Sequence, residues 1–234
     1  MSASGRRGLR AWLRRRVSTG TVATARTLLF ELRLQRRHRR SVQRARALCD
    51  QRHLKVHLGS GPKLKAGWIN VDLAPSADLQ LDLREPLPFA DGSVAIVYSE
   101  HFFEHIGYPD EAMHLLRECR RVLEPGGTFS VGVPDAEELL QLYARGELRP
   151  LLRTMAEDDA LRWMPRWVWK TPMHFVNFSF RQNGEHHFLY DHEALADALT
   201  EAGFVAVRRR AWDPALDSAD RRDGTLYVDA TNPG

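Results

Sequence analysis

Cysteine is scarce in this chain of 234 residues, which contains only Cys49 and Cys119, far apart in the sequence. Two isolated cysteines make neither a disulfide framework nor a zinc-ligand spacing, and they predict a reduced, cytoplasmic protein. Long apolar runs are also missing: no stretch of about 18 apolar residues occurs, so a membrane-spanning helix is not expected. The first residues lack the apolar segment of a secretory signal, so none is expected.

Acidic residues are nearly absent from the first 55 positions, which contain 16 Lys and Arg but only Glu31 and Asp50. The net charge of this segment is +14, and the rest of the chain carries −10. Hydrophobic residues make up 43% of the chain and suit one sizeable α/β domain with appendages. We therefore divide the chain into a basic helical arm, residues 1–50, and an acidic body, residues 51–234.

The arm carries apolar residues at helical spacing between arginines. These residues are Leu9, Trp12, Leu13 and Val17, followed by Val22, Ala25, Leu29 and Leu32. Three functions fit a basic amphipathic helix: an arm packed on the body, a helix on an anionic membrane, or a nucleic-acid contact. Trp12 and Phe30 are the only aromatics among the charges, which disfavours nucleic acid. An organelle-targeting peptide would have a similar composition.

Short apolar runs bounded by turn residues predict seven strands, at about 54–58, 68–72, 79–82, 95–99, 128–133, 204–210 and 225–231. Helices are expected to begin at Asp110, Asp135 and Asp191. This alternation predicts an α/β, Rossmann-like sheet, mostly parallel with an antiparallel end strand. The first two connections have only about nine and six residues, whereas parallel crossovers usually need a dozen or more. Either these connections lack full helices or one strand is misplaced.

Helical and strand periodicity fades between about 146 and 190, where aromatic residues cluster. They are Trp163, Trp167, Trp169, Phe175, Phe178, Phe180, Phe188 and Tyr190. We interpret this segment as an insertion lying over the sheet. Its tryptophans suit the packing of a lid or, as an alternative, stacking on a sugar.

The first predicted strand ends in Gly59-Ser60-Gly61, and the second ends in Asp72. A glycine turn at the carboxyl end of a parallel strand lets the backbone approach a nucleotide-like ligand, and the following acid can bind ribose hydroxyls. A dinucleotide site would have a third glycine, where Leu64 stands, and an acid about 20 residues on. Asp72 comes only 11 residues after Gly61. This spacing favours a ligand without a pyrophosphate.

Four motifs follow in order: Gly-Trp-Ile-Asn-Val-Asp, Pro-Leu-Pro-Phe, Glu-His-x-x-Glu-His and Arg-Val-Leu-x-Pro-Gly-Gly. They occupy residues 67–72, 86–89, 100–105 and 121–127. In this order the chain resembles small class I S-adenosylmethionine-dependent methyltransferase domains. The resemblance implies S-adenosylmethionine as the cofactor and a cofactor-binding set of Gly59, Ser60, Gly61, Asp72, Asp82, Leu83, Ser99 and Glu100. Asp72 would bind the ribose hydroxyls, and Asp82 with Leu83 would edge the adenine.

Transfer of a methyl group to a hydroxyl requires a base, and a histidine with a near-neutral pKa can serve. The candidate catalytic residues are His101, His186 and His187. His101 also begins a His-x-x-Glu-His sequence like that of some zinc peptidases, with Glu104 and His105. It directly follows a strand, and no third ligand stands out, so no metal is expected.

The sequence therefore predicts a methyltransferase that methylates an oxygen atom of a glycan, a lipid-linked sugar or a small metabolite. A non-catalytic methyltransferase-like binding module is the alternative, and a nicotinamide oxidoreductase is a more distant one. The expected partners are the acceptor molecule and, through the arm, an anionic membrane surface.

Overall fold

The computed structural model describes residues 17–157 and 161–234. These residues form six α-helices: α1 (Thr19–Ala45), α2 (Asp110–Val122), α3 (Ala136–Ala144), α4 (Leu148–Met155), α5 (Pro172–Arg181) and α6 (His192–Glu201). They form six strands: β1 (Leu54–Leu58), β2 (Ile69–Val71), β3 (Val94–Glu100), β4 (Leu123–Pro134), β5 (Val205–Arg209) and β6 (Thr225–Thr231). The apolar residues predicted at Leu9, Trp12 and Leu13 lie outside the described part of the chain.

The strands form one sheet in the order β2-β1-β3-β4-β6-β5. The first four are parallel, and β6 runs antiparallel between β4 and β5. The α/β fold with a mostly parallel sheet is confirmed. The expected count of seven strands is wrong, because residues 79–82 make only a single bridge, between Leu79 and Val71.

Helix α1 covers the outer edge of residues 79–82, away from β2. Ser41 Oγ accepts a hydrogen bond from the backbone N–H of Gln80 at 2.9 Å, and His38 Nδ1 accepts one from that of Asp82 at 3.2 Å. These are backbone donors that an edge strand would offer to a neighbouring strand. Side chains of the helix therefore take the place of a strand partner.

The second half of α1 packs on the body, where Leu34, Ser41 and Ala45 are buried. In the first half, Leu28, Leu29 and Leu32 are 60%, 53% and 45% exposed. No helix in the described residues is long and apolar enough to cross a membrane.

The pairing register gives the sheet two contrasting rows of side chains. One row consists of Val56, Val97, Phe129 and Ala230. It belongs to a buried apolar cluster that includes residues of α2 and α6. The neighbouring row consists of His57, Tyr98, Ser130 and Asp229.

A loop at residues 211–222 contacts this polar row. Asp217 in the loop accepts hydrogen bonds from Tyr98 Oη at 3.1 Å and pairs with Arg210 at 2.5 Å. Arg210 also donates to Ser130 Oγ at 3.1 Å. The connections at 59–68 and 72–93, all of whose residues are described, contain no helix. The 211–222 loop therefore contacts sheet residues that no helix of these two connections covers.

Helix starts follow the sequence closely. Asp135 accepts a hydrogen bond from the Glu138 N–H at 3.0 Å, and Asp191 accepts one from the Ala194 N–H at 2.8 Å. Both carboxylates therefore cap α3 and α6 at the positions expected of N-cap residues. Helix α2 begins at Asp110, as predicted.

Candidate functional site

The turn after β1 has the backbone conformation that its glycines permit. Gly59 and Gly61 have φ values of +66° and +51°, in the left-handed region. A Cβ atom on Gly59 would lie only 2.1 Å from the ring of Phe102. A Cβ on Gly61 would meet nothing within 4 Å. Gly59 is thus packed against the turn after β3, whereas Gly61 faces open space.

Asp72 fastens this turn. Its Oδ2 accepts the backbone N–H of Gly61 at 2.8 Å, and its Oδ1 accepts that of Ala74 at 2.7 Å. The carboxylate is partly exposed, and a carboxylate has about four acceptor positions, so acceptor capacity is left for a ligand. The hydroxyls of Ser60 and Ser99, at the ends of β1 and β3, are buried and have no hydrogen-bond partner among the described residues. These donors and acceptors fit a ligand with hydroxyl and amine groups.

Asp82 and Leu83 have other partners. Asp82 forms a bidentate pair with Arg84, whose Nε and Nη2 lie 2.9 and 2.8 Å from its oxygens. Arg84 also reaches Glu31 of α1 at 2.8 Å. Asp82 lines a cleft of about 890 Å³ beside α1, and Leu83 is buried in the core. The side chain of Asp82 is therefore directed to α1 rather than joined to the glycine turn.

Glu100 is fully engaged inside the protein. Its carboxylate accepts hydrogen bonds from the Ser218 N–H at 3.0 Å, from Ser218 Oγ at 2.5 Å and from Tyr227 Oη at 3.0 Å. Its backbone carbonyl accepts one from Arg221 at 3.3 Å. These contacts make Glu100 an anchor for the 211–222 loop.

His101 stands at the carboxyl end of β3 in a left-handed conformation, with φ of +51°. Such backbone strain in a residue other than glycine is characteristic of functional sites. Its Nε2 lies 2.8 Å from Thr225 Oγ1, and its Nδ1 lies 3.8 Å from Glu104 Oε1. The ring is about one quarter exposed.

The other two expected histidines differ from each other. The His186 side chain is 5% exposed, with Nε2 3.9 Å from Glu104 Oε1, and burial lowers its pKa. His187 is exposed, and its backbone N–H donates to the Glu104 carbonyl at 2.8 Å. The structure therefore brings His101 and His186 together around Glu104 and leaves the His187 side chain outside.

His105 completes the surroundings of Glu104. Its Nε2 lies 4.0 Å from Glu104 Oε1, and its ring meets that of His186 edge to face at 4.8 Å between centroids. The sequence pattern suggested His101 and His105 as a pair of metal ligands. The ligand atoms that lie within 4.8 Å of one another belong instead to Glu104, His105 and His186.

Sequence reasoning missed two contributions to the site. Phe102 packs on Gly59, and Asp217 with Arg210 holds the loop that binds Glu100. Phe102 could have been suspected, because it lies within the Glu-His-x-x-Glu-His motif. Nothing in the sequence around Asp217 indicates its role. Its partners are Tyr98, 119 positions away, and Arg210, seven positions away.

Aromatic residues of the insertion pack on one another. The rings of Trp163 and Trp167 lie 6.0 and 5.9 Å from that of Phe178, which is 3% exposed. Trp163 itself is 62% exposed. The insertion thus has its own small aromatic cluster around Phe178, while Trp163 and, at 36%, Trp167 remain exposed.

Comparison with known proteins finds a family model that matches part of the chain. Residues 42–131 match the family model described as "Methyltransferase domain". The matched segment contains the glycine turn, Asp72 and the turn after β3 with His101 and Glu104. The match confirms the family that the motifs resemble and, with it, S-adenosylmethionine as the cofactor of that family.

Individual proteins give more distant matches. The chain is 35% identical over 88 residues to an uncharacterized 37.1 kDa protein in transposon TN4556 of Streptomyces fradiae, which is 38% of this chain and 25% of that protein. A chain in the complex of the Haloferax volcanii Trm112 methyltransferase activator with a methyltransferase is 20% identical, covering 86% of this chain and 92% of its own, with a TM-score of 0.45. A SAM-dependent methyltransferase of Thermotoga maritima is 15% identical, covering 82% and 87%, with a TM-score of 0.44.

Proposed function

Residues 42–131 belong to the methyltransferase domain family, and from this premise we propose that the chain methylates a hydroxyl of a glycan, a lipid-linked sugar or a small metabolite. The observation that carries the proposal is the glycine turn held by Asp72, with Ser60 and Ser99 buried beside it. When bound, S-adenosylmethionine supplies a methyl group that the acceptor oxygen attacks by direct displacement. The protein has to hold both molecules in line and receive the hydroxyl proton.

Each side chain has a separate task in binding the cofactor. The left-handed turn at Gly59 and Gly61 brings backbone groups to the ligand without a Cβ in the way at Gly61. The remaining acceptor positions of Asp72 suit ribose hydroxyls, while the Ser60 and Ser99 hydroxyls suit the polar end of the methionine part. The adenine edge that the resemblance assigns to Asp82 and Leu83 stays a prediction, because Asp82 pairs with Arg84 and Leu83 is buried.

His101 is the residue that we assign as the proton acceptor. It is partly exposed at the carboxyl end of β3, in the turn whose Phe102 packs on Gly59. His186 donates from Nδ1 to the Ser179 carbonyl at 2.6 Å and is almost completely buried, so it lacks access to an acceptor. His187 is exposed, and it reaches Glu104 through its backbone N–H.

Calorimetric titration of S-adenosylmethionine tests the binding site. Asp72→Ala removes the hydrogen bonds to a charged acceptor, each worth roughly 1.5–3 kcal/mol, so the affinity should fall by about 100-fold or more. Asp78→Ala is the matched control: its carboxylate also binds backbone, at the Asn70 N–H, but away from the turn. We expect the control to bind within about tenfold of the native protein. Unchanged binding by Asp72→Ala, or preferential binding of NAD by the native protein, contradicts the assignment.

Methyl transfer itself is tested with a labelled methyl donor and acceptor fractions from cell extract. His101→Gln should lower the turnover rate by about 10²–10⁴, the usual contribution of a general base, while its affinity for S-adenosylmethionine stays unchanged. If the native protein binds the cofactor but labels no fraction, the chain is a binding module without catalysis.

We also propose that the first half of α1 contacts an anionic membrane. Leu28, Leu29 and Leu32 are exposed there, while Glu31 is the only acid in the helix and seven arginines accompany it. Apolar side chains that enter the lipid interface and arginines that meet anionic headgroups favour such a surface. An acceptor linked to a lipid would then lie near the site.

Vesicle flotation tests this contact. The protein should float with vesicles of phosphatidylglycerol and phosphatidylcholine but not with phosphatidylcholine alone, and salt should weaken the association. The double variant Leu29→Ser/Leu32→Ser should bind about tenfold more weakly or worse, whereas Gln35→Ser/Gln43→Ser on exposed positions of the same helix should bind normally. Equal flotation of the two variants would assign the stripe to another partner.

A further inference from the structure

Glu104 is a buried carboxylate without a hydrogen bond. Its side chain is 1% exposed, and neither oxygen has a partner among the described residues. The nearest ionisable groups that the structure gives are nitrogens of His101, His186 and His105, at 3.8, 3.9 and 4.0 Å from Oε1. Since burying an unpaired charge is costly, this carboxylate lacks a partner that its surroundings should provide.

The neighbouring hydrogen bonds define the tautomers of two of these histidines. His105 Nδ1 lies 3.0 Å from the Glu185 carbonyl, and His186 Nδ1 lies 2.6 Å from the Ser179 carbonyl. A carbonyl oxygen only accepts, so each Nδ1 carries its proton and donates. In the neutral ring the lone pair is therefore on Nε2, the atom that lies near Glu104.

A proton shared between these groups does not account for the arrangement. If Glu104 were protonated, its O–H could donate to an Nε2, but such a bond would be about 2.5–3.0 Å long. The distances are 3.9 and 4.0 Å. Two nitrogen lone pairs and a carboxylate that converge without touching leave room for a cation between them.

We propose that Glu104, His105 and His186 bind a divalent transition-metal ion of the zinc class. The three ligand atoms lie within 4.8 Å of one another. Backbone carbonyls that fix the Nδ1 of each ring are the outer partners that metal-binding histidines commonly have. His186 is the third ligand, which the sequence did not reveal because it lies about 80 positions from the other two.

The donor set selects the class of metal. Two imidazoles and one carboxylate suit zinc and its neighbours, whereas magnesium and calcium prefer oxygen ligands. Ligand atoms around a tetrahedral zinc ion are about 3.3 Å apart, given bonds of about 2.0–2.1 Å. The nitrogens would have to approach Glu104 Oε1 by about 0.6 Å. Three protein ligands leave a fourth coordination position for water or another ligand.

Zinc titration of the untagged, chelator-treated protein tests the proposal, with metal content measured by mass spectrometry. We expect one zinc ion for each chain and no comparable binding of magnesium. Glu104→Gln and His186→Ala should each lower the zinc affinity by about 100-fold or more. Glu104→Gln keeps the side-chain volume and removes a buried charge, so it should fold even if His186→Ala does not.

His187→Ala is the matched control, because it changes the neighbouring residue but keeps the backbone hydrogen bond to the Glu104 carbonyl. It should bind zinc like the native protein, and zinc should raise the melting temperature of both but not that of Glu104→Gln. A native protein without stoichiometric zinc overturns the proposal, as does an equal loss of binding in His187→Ala and His186→Ala. Both results are independent of methyl transfer, since cofactor binding is measured separately.

Discussion

The two faces of the sheet are built from alternate residues of the same strands, yet they are stabilised in different ways. Val56, Val97 and Phe129 pack in a core with α2 and α6. His57, Tyr98 and Ser130 occupy the neighbouring row, and the 211–222 loop contacts that row. Apolar contact is tolerant of shape and needs only a helix of the right pattern. A polar face needs specific partners, which here are Asp217 of the loop for Tyr98 and Arg210 for Ser130.

Of the two faces, the polar one is connected to the proposed cofactor site. Glu100 at the end of β3 is bound by Ser218 of the loop, and His101 follows it directly. The polar face is therefore continuous with the residues proposed for chemistry. Three predictions measure how much the polar face and the edge of the sheet contribute to the stability of the protein.

Asp217→Ala should have the largest effect. Its side chain is completely buried, and it binds Arg210, Tyr98 and the Asp213 N–H. Removing one member of a buried ion pair costs about 3–5 kcal/mol of unfolding free energy. Arg210 keeps its pair with Asp229, at 3.1 Å, so we expect a loss near the lower end of this range. Denaturant unfolding measures the loss.

Asp220→Ala is the control for that prediction, because it lies in the same loop. Its pair with Lys63, 2.5 Å long, is exposed and should contribute only about 0–1 kcal/mol. A similar loss of unfolding free energy in the two variants would show that the buried pair of Asp217 and Arg210 is not what holds the loop in place.

His57 should make stability depend on pH. Burial, followed by the charge of Lys65, lowers its pKa from 6.5 to about 4 in the folded protein. The unfolded chain therefore takes up the proton first as the pH falls, so the stability present above pH 6.5 is lost progressively down to about pH 4. The loss should reach at most about 3 kcal/mol.

Unfolding by urea at several pH values measures this slope, and His57→Gln provides the comparison. The variant should lose the part of the slope between pH 4 and 6.5, whatever its absolute stability. A variant with the native slope would place the titrating group elsewhere.

Ser41→Ala should have the smallest of the three effects. It tests whether the sheet edge, like the polar face, depends on a specific hydrogen bond for its stability. The change leaves the Gln80 N–H without its acceptor, at a cost of about 1–3 kcal/mol. Thr24→Ala changes a hydroxyl in the exposed half of α1 and should remain within about 0.5 kcal/mol of the native protein. Thermal unfolding of both variants measures the difference. If Ser41→Ala and Thr24→Ala are equally stable, the hydrogen bond of Ser41 does not stabilise the sheet edge.

Local sequence signals predicted the elements that depend on neighbours in the chain. Asp135 and Asp191 cap helices where their patterns placed them, and β1 spans the expected residues. The strand predicted at 79–82 makes only one bridge with β2, and its outward N–H groups bind Ser41 and His38, about 40 positions earlier. Periodicity reports burial but does not report which partner takes a backbone group.

The same limit applies to the candidate site. Gly59, Gly61 and Asp72 could be predicted because the turn and the following strand end are close in sequence. The role of Glu100 as an anchor and the meeting of His105 with His186 could not, since each depends on a residue about 80 or more positions away.

The carbonyl of Glu104 accepts the backbone N–H groups of both His187 and Phe188, at 2.8 and 3.3 Å. The end of the insertion is thereby clamped to the same residue whose carboxylate faces the histidines. A displacement of the segment before α6 must either break these two bonds or carry Glu104 with it. An acceptor that shifts the insertion without breaking these bonds would therefore also move the turn that carries His101.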